Sequence, residues 1–446
     1  MQNLKHNEHM IHRISTPLLI SFLVLRSFLA LLTIEFPEGG RTLDSRDYID
    51  LSQSFRYNGT FTDSEGSADL RRPPVYPVFL ALFQSSAGLH QALVSLAQLV
   101  LASLMSLVVL WFLNRRGMTT SGHIAGWLIA ISPNINLWSL TIMSEVLFAL
   151  LLILAFTIFI TGLNRISTVM IFFAGVILGL ATLTRPIGLV VLFLWVLFFL
   201  IASMRGWIHS RSKSKWIWVL VGSATVILPW MVRNAVIHQS FTVSDIGSHT
   251  LESFNFAIVL SEAEGISRND ATYQLGELGG TWDQFSWLIA RYPLQFVKSQ
   301  LAGVSRVLWG SEITRWATVC GHKNWAGFGI FRYLRIGELK SGWENLVETI
   351  RTPSEFLLLL IYIINILYTL FLLVFSIASN AAIKKLDIED RTIVTLCTIT
   401  VLGLVLISGA AGQARFRVPV EPFLAIIAGL GWGQISASRN RRTSEE

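Results

Sequence analysis

Long runs of apolar residues, separated by short polar stretches, dominate the hydrophobic pattern of this sequence. A membrane-spanning helix needs about 20 apolar residues, because the hydrocarbon core of a bilayer is about 30 Å thick. Segments of that length and low charge occur at about 14–33, 89–113, 121–137, 143–162, 168–185, 186–204, 216–233, 355–377, 391–409 and 419–437. The pattern predicts an all-α polytopic membrane protein with about ten transmembrane helices.

Composition and charge support this fold class. The chain is 52% hydrophobic and 14% charged, which is too apolar for a soluble protein of this length. A net charge of +7 would suggest nucleic acid as the partner of a soluble protein, but here the basic residues flank the apolar segments, as membrane topology requires. No nucleic-acid partner is therefore predicted, and membrane lipids are expected instead. The first apolar segment lacks a small-residue cleavage site and is predicted to be retained.

The distribution of Lys and Arg predicts the orientation of the helices, because cytoplasmic connections are enriched in these residues. If the N terminus is cytoplasmic, the inner connections and the C-terminal tail carry Arg115, Arg116, Arg165, Arg205, Arg211, Lys213, Lys215, Lys384, Lys385, Arg439, Arg441 and Arg442. The short outer connections are much poorer in basic residues. Both termini of this multi-pass protein of the cell (inner) membrane are therefore predicted to be cytoplasmic.

Two long segments fall on the outer side in this topology. The first, 34–88, lies within an N-terminal transmembrane module of residues 1–233 and is predicted to contain interfacial helices. The second, 234–354, is predicted to be a long extracytoplasmic loop or small domain before the last three spans. Residues 355–446 supply those spans and a basic cytoplasmic tail.

Acidic and arginine side chains gather at the outer ends of the predicted spans, although they come from distant parts of the sequence. They are Asp44, Asp47, Arg71, Arg72, Glu145, Arg185, Arg233, Arg415, Arg417 and Glu421. Arginine near hydrocarbon is costly and usually has a partner, and its planar guanidinium suits phosphate. The arginines are therefore candidates for binding a lipid phosphate. The structural alternative is that they snorkel to lipid headgroups or pair with the nearby glutamates.

The first outer loop opens with two acids, Asp44 and Asp47. Tyr48, Leu51 and Phe55 follow at helical spacing, which predicts a helix lying in the membrane interface. Asp44 is then either the N-cap of this helix or a general base for an incoming hydroxyl group. A carboxylate beside arginines stays ionised, as a base requires.

Residues 71–77 read Arg-Arg-Pro-Pro-Val-Tyr-Pro. Three prolines remove backbone donors and favour extended geometry. The segment is predicted to be a stiff, basic return toward the membrane rather than an ordinary helix. A purely structural turn would also account for it.

Several of these stretches resemble the C-type membrane glycosyltransferases that use polyprenyl-phosphate sugars, a group that includes the protein O-mannosyltransferases and the lipid A aminoarabinose transferases. The resemblance covers 40–235 and 410–430. It rests on Asp44, Tyr48, and the segments 72–77, 144–148, 175–186, 229–234 and 415–422. The aminoarabinose transferases have Asp-Glu where this chain has Asp44-Ser45, which leaves Asp47 or Glu145 as the second acid.

The resemblance implies transfer of a hexose or pentose from a polyprenyl-phosphate donor to a glycan, lipid or protein acceptor on the extracytoplasmic side, with inversion of the anomeric carbon. Asp44 would deprotonate the acceptor, and one base suffices because the departing lipid phosphate is already a stable anion. The implied catalytic residues are Asp44, Asp47 and Glu145; the implied donor-phosphate ligands are Arg72, Arg185, Arg233, Arg415 and Arg417; and Tyr48, Tyr76 and Glu421 would position the substrate.

Two other functions compete with glycosyl transfer. An O-antigen ligase or polymerase would also carry arginines in an outer loop, but the early acidic loop argues against it. A lipid or sugar transporter should have ionisable groups at mid-membrane and often two similar halves, whereas Arg26 is the main charge within a span. No cofactor is predicted. Without a His or Cys cluster the sequence marks no metal site, and a divalent metal ion stays an open alternative.

Overall fold

A computed structural model describes residues 26, 28–31, 34–207, 214–322, 325, 327–328, 338–381 and 387–445. Most of the first predicted span, 14–33, lies outside these residues. The same holds for part of the predicted inner basic connections, at 208–213 and 382–386.

The described chain is built almost entirely of helices, as the hydrophobic pattern predicts. Five of them are long and apolar enough to cross a membrane: α3 (Gln91–Asn114), α6 (Glu145–Asn164), α9 (Ile217–His238), α17 (Pro353–Ala381) and α18 (Ile388–Ile407). Shorter apolar helices coincide with other predicted spans: α7 (Thr168–Thr182), α8 (Gly188–Met204) and the first half of α19 (Glu421–Glu445). The helix α4 (Thr119–Ile131) falls within a further predicted span.

The third predicted span, 121–137, is divided into two helices. Ser132 has a non-helical backbone with φ of −54° and ψ of 117°, its hydroxyl accepts a hydrogen bond from the amide of Ile135, and Pro133 begins the short helix α5 (Pro133–Ser139). A proline at the first helical position needs no backbone donor, so the break falls directly before it.

The helix α6 lies at the centre of the bundle. Within its apolar stretch 78% of the residues are buried, compared with 28% in α9 and in α17. It packs against α3 and α7, α7 packs against α9, and α19 packs against α4, α17 and α18. Gly175 of α7 and Gly222 of α9 let these two helices approach closely, because a Cβ atom at either glycine would overlap the facing backbone.

The segment 34–88, which is the predicted first outer loop, forms a 3₁₀ helix (Pro37–Gly40), two α-helices and a small hairpin. The α-helices are α1 (Leu43–Asn58) and α2 (Val75–Ala81), and the hairpin consists of the antiparallel strands β1 (Gln84–Ser85) and β2 (Gly88–Leu89). The extended conformation predicted for 71–77 is wrong from Val75 onward. Helix α2 begins directly after Pro74, and Pro77 is tolerated because it lies in the first turn.

Helix α1 forms where the spacing of Tyr48, Leu51 and Phe55 predicts a helix. Its N-cap is Thr42, which forms a capping box with Ser45, so Asp44 is not the cap. Its apolar face packs on protein rather than lying open toward lipid: Tyr48 and Leu51 are buried, and the Tyr48 ring meets the Tyr76 ring of α2 edge to face at 4.9 Å.

The long segment between α9 and α17 is a set of helices with a small core of its own. They are α10 (Ile246–Thr250), a π-helix (Leu251–Phe256), α11 (Ala257–Glu264), α12 (Arg268–Gly276), α13 (Thr281–Arg291), α14 (Pro293–Trp309), α15 (Ile313–Val319) and α16 (Leu339–Arg351).

These helices are fastened to the turn that follows α18. The Asn255 side chain accepts a hydrogen bond from the amide of Ala411 at 3.1 Å, and Arg306 donates to the carbonyl of Gly412 at 3.1 Å. Ala410 joins the core of the segment itself. The next turn, 414–417, carries Arg415, so the segment helps to fix the position of that arginine.

Candidate functional site

The centre of the candidate site is Asp44, in the first turn of α1. Its Oδ1 accepts a hydrogen bond from Arg72 Nη2 at 3.1 Å, and its Oδ2 accepts one from Arg415 Nη1 at 2.9 Å. Arg415 lies 371 positions further along the chain. The carboxylate remains 33% exposed, so it is held by two cations and still accessible to a substrate.

Arg72 is fixed between both aspartates of α1. Its Nε and Nη2 donate to Asp47 Oδ2 at 3.2 and 2.9 Å, in addition to the bond with Asp44. The guanidinium carbon lies 4.8 Å from the centre of the Tyr48 ring, a distance typical of a cation–π contact. Only 10% of the Arg72 side chain is exposed, so this arginine holds the acids in place.

A second ion pair lies beside the first cluster. Arg185, between α7 and α8, has its Nη1 2.6 Å from Glu145 Oε1 at the start of α6. The same nitrogen donates to Ser144 Oγ at 3.1 Å, and the Tyr48 hydroxyl lies 3.3 Å from that oxygen. Glu145 is fully buried, which places it behind Arg185.

The ring of Phe416 joins the two clusters on their other side. The guanidinium carbon of Arg415 lies 5.1 Å from the ring centre and that of Arg185 lies 5.8 Å from it. Two arginines from distant parts of the sequence therefore meet on one aromatic ring, next to the Asp44 carboxylate.

The electrostatic surroundings keep Asp44 ionised. Its burial favours the neutral form, but the charges and hydrogen bonds of Arg415 and Arg72 outweigh this effect, so the pKa of Asp44 lies below its ordinary value. A carboxylate with a lowered pKa is ready to accept a proton at neutral pH, although the two arginines also reduce its basicity.

Other predicted site residues lie outside this cluster. Arg233, at the end of α9, donates to the carbonyl of Asp69 at 3.0 Å and to the side chain of Asn234 at 2.9 Å. It thereby ties α9 to the first outer loop. Tyr76 is fully buried, and its hydroxyl donates to Gln98 at 2.9 Å.

Arg417 and Glu421 form a separate, fully buried pair. Arg417 Nε donates to Glu421 Oε1 at 2.8 Å, and the other guanidinium nitrogens donate to Asn365 and to the carbonyls of residues 307, 308 and 310. Neither side chain has exposed surface. Arg417 presents no free face to a phosphate in this arrangement.

Ser144, Phe416 and Glu312 also line the cluster. Ser144 and Phe416 belong to segments that carry the family resemblance, which implies no role for them, and no sequence pattern marks Glu312. Glu312 follows α14 in a left-handed backbone conformation with φ of +49°, and its carboxylate accepts a hydrogen bond from the amide of Arg415 at 3.2 Å. Among the residues that the structure describes, no group of three or more His, Cys, Asp or Glu side chains is arranged to hold a metal ion.

Part of the candidate site lies in a region that matches a known protein family. Residues 71–232 match the model of the dolichyl-phosphate-mannose-protein mannosyltransferase family. This match includes Arg72, Glu145 and Arg185 but leaves Asp44 and Arg415 outside. No curated protein sequence matches the chain.

Two solved structures show the same fold. ArnT from Cupriavidus metallidurans, bound to undecaprenyl phosphate, is 13% identical, and the similarity covers 93% of this chain and 60% of ArnT with a TM-score of 0.50. The oligosaccharyltransferase AglB from Archaeoglobus fulgidus, in complex with an inhibitory peptide and a dolichol-phosphate, is 15% identical, with 96% and 51% covered and a TM-score of 0.51.

This chain therefore spans little more than half the length of either protein. The resemblance that the sequence motifs indicated is confirmed by the family match and by the fold. The chain has the fold of the C-type membrane glycosyltransferases, and residues 71–232 carry the sequence pattern of the protein mannosyltransferases.

Proposed function

We propose that this protein is an integral membrane glycosyltransferase that moves a sugar from a polyprenyl-phosphate donor to an acceptor hydroxyl group. One observation carries the proposal: the Asp44 carboxylate accepts a hydrogen bond from Arg415, and Arg415 shares the Phe416 ring with Arg185. A base and two phosphate-binding cations are thus adjacent.

The proposed reaction is the one that the family resemblance implies. The acceptor oxygen forms a bond to the anomeric carbon while the bond from that carbon to the phosphate oxygen breaks, with inversion. The acceptor proton passes to Asp44, and the electron pair of the broken bond stays on the lipid phosphate. Arg185 and Arg415 stabilise this developing charge from fixed positions. Stabilising the charge on the departing phosphate is the largest electrostatic requirement of the step.

The proteins of similar fold support the donor class, because their structures contain undecaprenyl phosphate and a dolichol-phosphate. We further propose about ten spans, cytoplasmic termini and a site on the extracytoplasmic side, since the basic connections favour that orientation. The module of residues 1–233 would supply the base, and the segment 234–354 would contact the acceptor, which is a glycan, a lipid or a protein.

The other arginines receive different roles in this proposal. Arg72 holds Asp44 and Asp47 in position, Arg233 fastens the first outer loop, and Arg417 with Glu421 supports the turn that carries Arg415. Glu145 keeps Arg185 oriented. Each role follows from the hydrogen bonds that these side chains already make.

A transfer assay tests the proposed function directly. The purified full chain in phosphatidylcholine nanodiscs is incubated with radiolabelled hexosyl and pentosyl polyprenyl phosphates and with an envelope extract as the acceptor. We expect acceptor-dependent release of polyprenyl phosphate and labelling of the extract with at least one donor. Release without an acceptor, or no turnover of any donor that the protein binds, would contradict the proposal.

The substitution Arg185→Lys should weaken donor binding while leaving the fold intact. Lysine keeps the charge that the buried Glu145 needs, but it lacks the planar fork that binds phosphate through two hydrogen bonds. We expect the KM for the donor to rise about tenfold, because the substitution removes one charge-assisted hydrogen bond to the phosphate. Steady-state kinetics with varied donor measure this effect. Arg56→Lys on the exposed end of α1 is the control, and equal KM values in both variants would remove Arg185 from the phosphate site.

The substitution Arg415→Gln should move the acid limb of the pH–activity profile to higher pH. In the wild-type protein Arg415 and Arg72 keep the pKa of Asp44 below its ordinary value, so activity persists as the pH falls toward that value. Without Arg415, only Arg72 counteracts the effect of burial, which favours the neutral carboxyl group, so the pKa of Asp44 rises. The profile of kcat/KM measures the shift, because it reports ionisations of the free enzyme. An unchanged acid limb would mean that Asp44 is not the base.

A further inference from the structure

The buried nitrogens of the arginines in and around the site are of two kinds. Arg72 donates through Nε and Nη2 to two carboxylates, and Arg417 donates through all three of its nitrogens to a carboxylate, three carbonyls and a side-chain amide oxygen. Arg315 and Arg415, in contrast, have buried nitrogens without a partner in the described part of the chain. The Nε and Nη2 atoms of Arg315 and the Nε of Arg415 have no exposed surface and no hydrogen-bond partner among the described residues. Guanidinium donors that are buried without a partner are costly, so each such group calls for an explanation.

Glu312 accepts a backbone hydrogen bond from each of these two arginines. Arg315 lies in the first turn of α15, three positions after Glu312, and its amide donates to the Glu312 carbonyl at 2.9 Å. The Glu312 carboxylate accepts from the amide of Arg415, and it forms no ion pair within 4 Å in the described part of the chain. Glu312 therefore positions the two arginines without neutralising their side-chain donors.

The electrostatics of this group agree with a missing anionic partner. Burial lowers the pKa of Arg315 to about 10, with Glu312 opposing the effect. Burial also raises the pKa of Glu312 above its ordinary value, despite the amide and charge of Arg415. The charges of Arg315 and Arg415 thus act on the same weak counterion, Glu312, and Arg415 also contacts the Asp44 carboxylate.

We propose that Arg315 is a further substrate-binding residue, which together with Arg415 binds an oxygen of a lipid phosphate, and that Glu312 positions both arginines. The planar N–H groups of arginine match phosphate oxygens. This inference rests on the proposed function only in taking the lipid to be the donor; an anionic phospholipid headgroup presents the same chemistry.

Binding of farnesyl phosphate to the full chain tests the inference without any transfer reaction. The protein is placed in phosphatidylcholine nanodiscs, and affinity is measured by calorimetry, with farnesol as the neutral probe. We expect Arg315→Gln to weaken farnesyl phosphate binding by about 10- to 100-fold, because the variant loses hydrogen bonds to a charged group. Farnesol binding should be unchanged. Arg291→Gln, on an exposed arginine of α13, should match the wild type.

Thermal stability provides the second measurement, and it separates a binding role from a structural one. Removing a buried, unpaired cation relieves a cost, so Arg315→Gln should unfold no earlier than the wild type without a ligand. A lower melting temperature with unchanged farnesyl phosphate affinity would overturn the proposal.

The source of the phosphate is resolved by adding phosphatidylglycerol to the nanodiscs. If Arg315→Gln abolishes stabilisation by phosphatidylglycerol but leaves farnesyl phosphate affinity intact, the arginine binds a phospholipid headgroup. If both probes bind the variant as tightly as the wild type, Arg315 binds no lipid phosphate. A wild-type protein that binds farnesyl phosphate through Arg315 but transfers no sugar would contradict the proposed function and leave this inference standing.

Discussion

The Asp44→Asn variant should lose about 10²- to 10⁴-fold in the rate of sugar transfer, the usual contribution of a positioned general base. Asparagine has nearly the same shape as aspartate, but its amide cannot accept the acceptor's proton. It also cannot pair both oxygens with Arg72 and Arg415 as the carboxylate does. Donor affinity should change much less than kcat, because the arginines that bind the phosphate remain.

The transfer assay in nanodiscs, with donor and acceptor varied separately, measures this effect. Asp50→Asn is the matched control, because Asp50 lies on the same helix and pairs with Arg46 at 3.8 Å, outside the cluster. Near-normal kcat in Asp44→Asn would exclude Asp44 as the base. A similar loss in Asp47→Asn would point to the pair of acids around Arg72 rather than to Asp44 alone.

The order of the helices could be predicted from the sequence, because about 20 consecutive apolar residues leave few alternatives to a spanning helix. The ends of individual helices depend on local sequence, above all on where the prolines lie. Pro133 divides one predicted span in two, and Pro77 does not prevent a helix since it lies in the first turn. The sequence left open whether Asp44 caps its helix, and the structure excludes that alternative because Thr42, two positions earlier, is the cap.

The candidate site was only partly predictable. The grouping of Asp44, Glu145, Arg185 and Arg415 follows from the side of the membrane to which the predicted topology assigns each of them. The hydrogen-bond partner of each arginine, however, cannot be predicted from that side. Arg415 and Arg417 are two positions apart in a 3₁₀ turn, yet one contacts Asp44 and the other is enclosed by protein. Arg315 could not have been found, since it follows no span and belongs to no motif.

The Arg417→Ala variant should be destabilised by about 3–5 kcal/mol, because it leaves the buried carboxylate of Glu421 without its cation. Both side chains are fully buried, so water cannot replace the lost partner. The carbonyls of residues 307, 308 and 310 and the Asn365 side chain would lose their donors as well. Unfolding in mild detergent, followed by tryptophan fluorescence against denaturant, measures the change.

The double variant Arg417→Met, Glu421→Leu is the decisive control for Arg417. Replacing both members of a buried ion pair by apolar residues of similar volume is often neutral, so most of the stability lost in Arg417→Ala should return. Farnesyl phosphate affinity in this double variant should equal that of the wild type, since all three nitrogens of Arg417 already donate to protein groups. Arg417→Ala could instead unfold like the wild type and bind farnesyl phosphate more weakly. Arg417 would then belong to the phosphate site, and the turn that carries Arg415 would be supported by the packing of α19 alone.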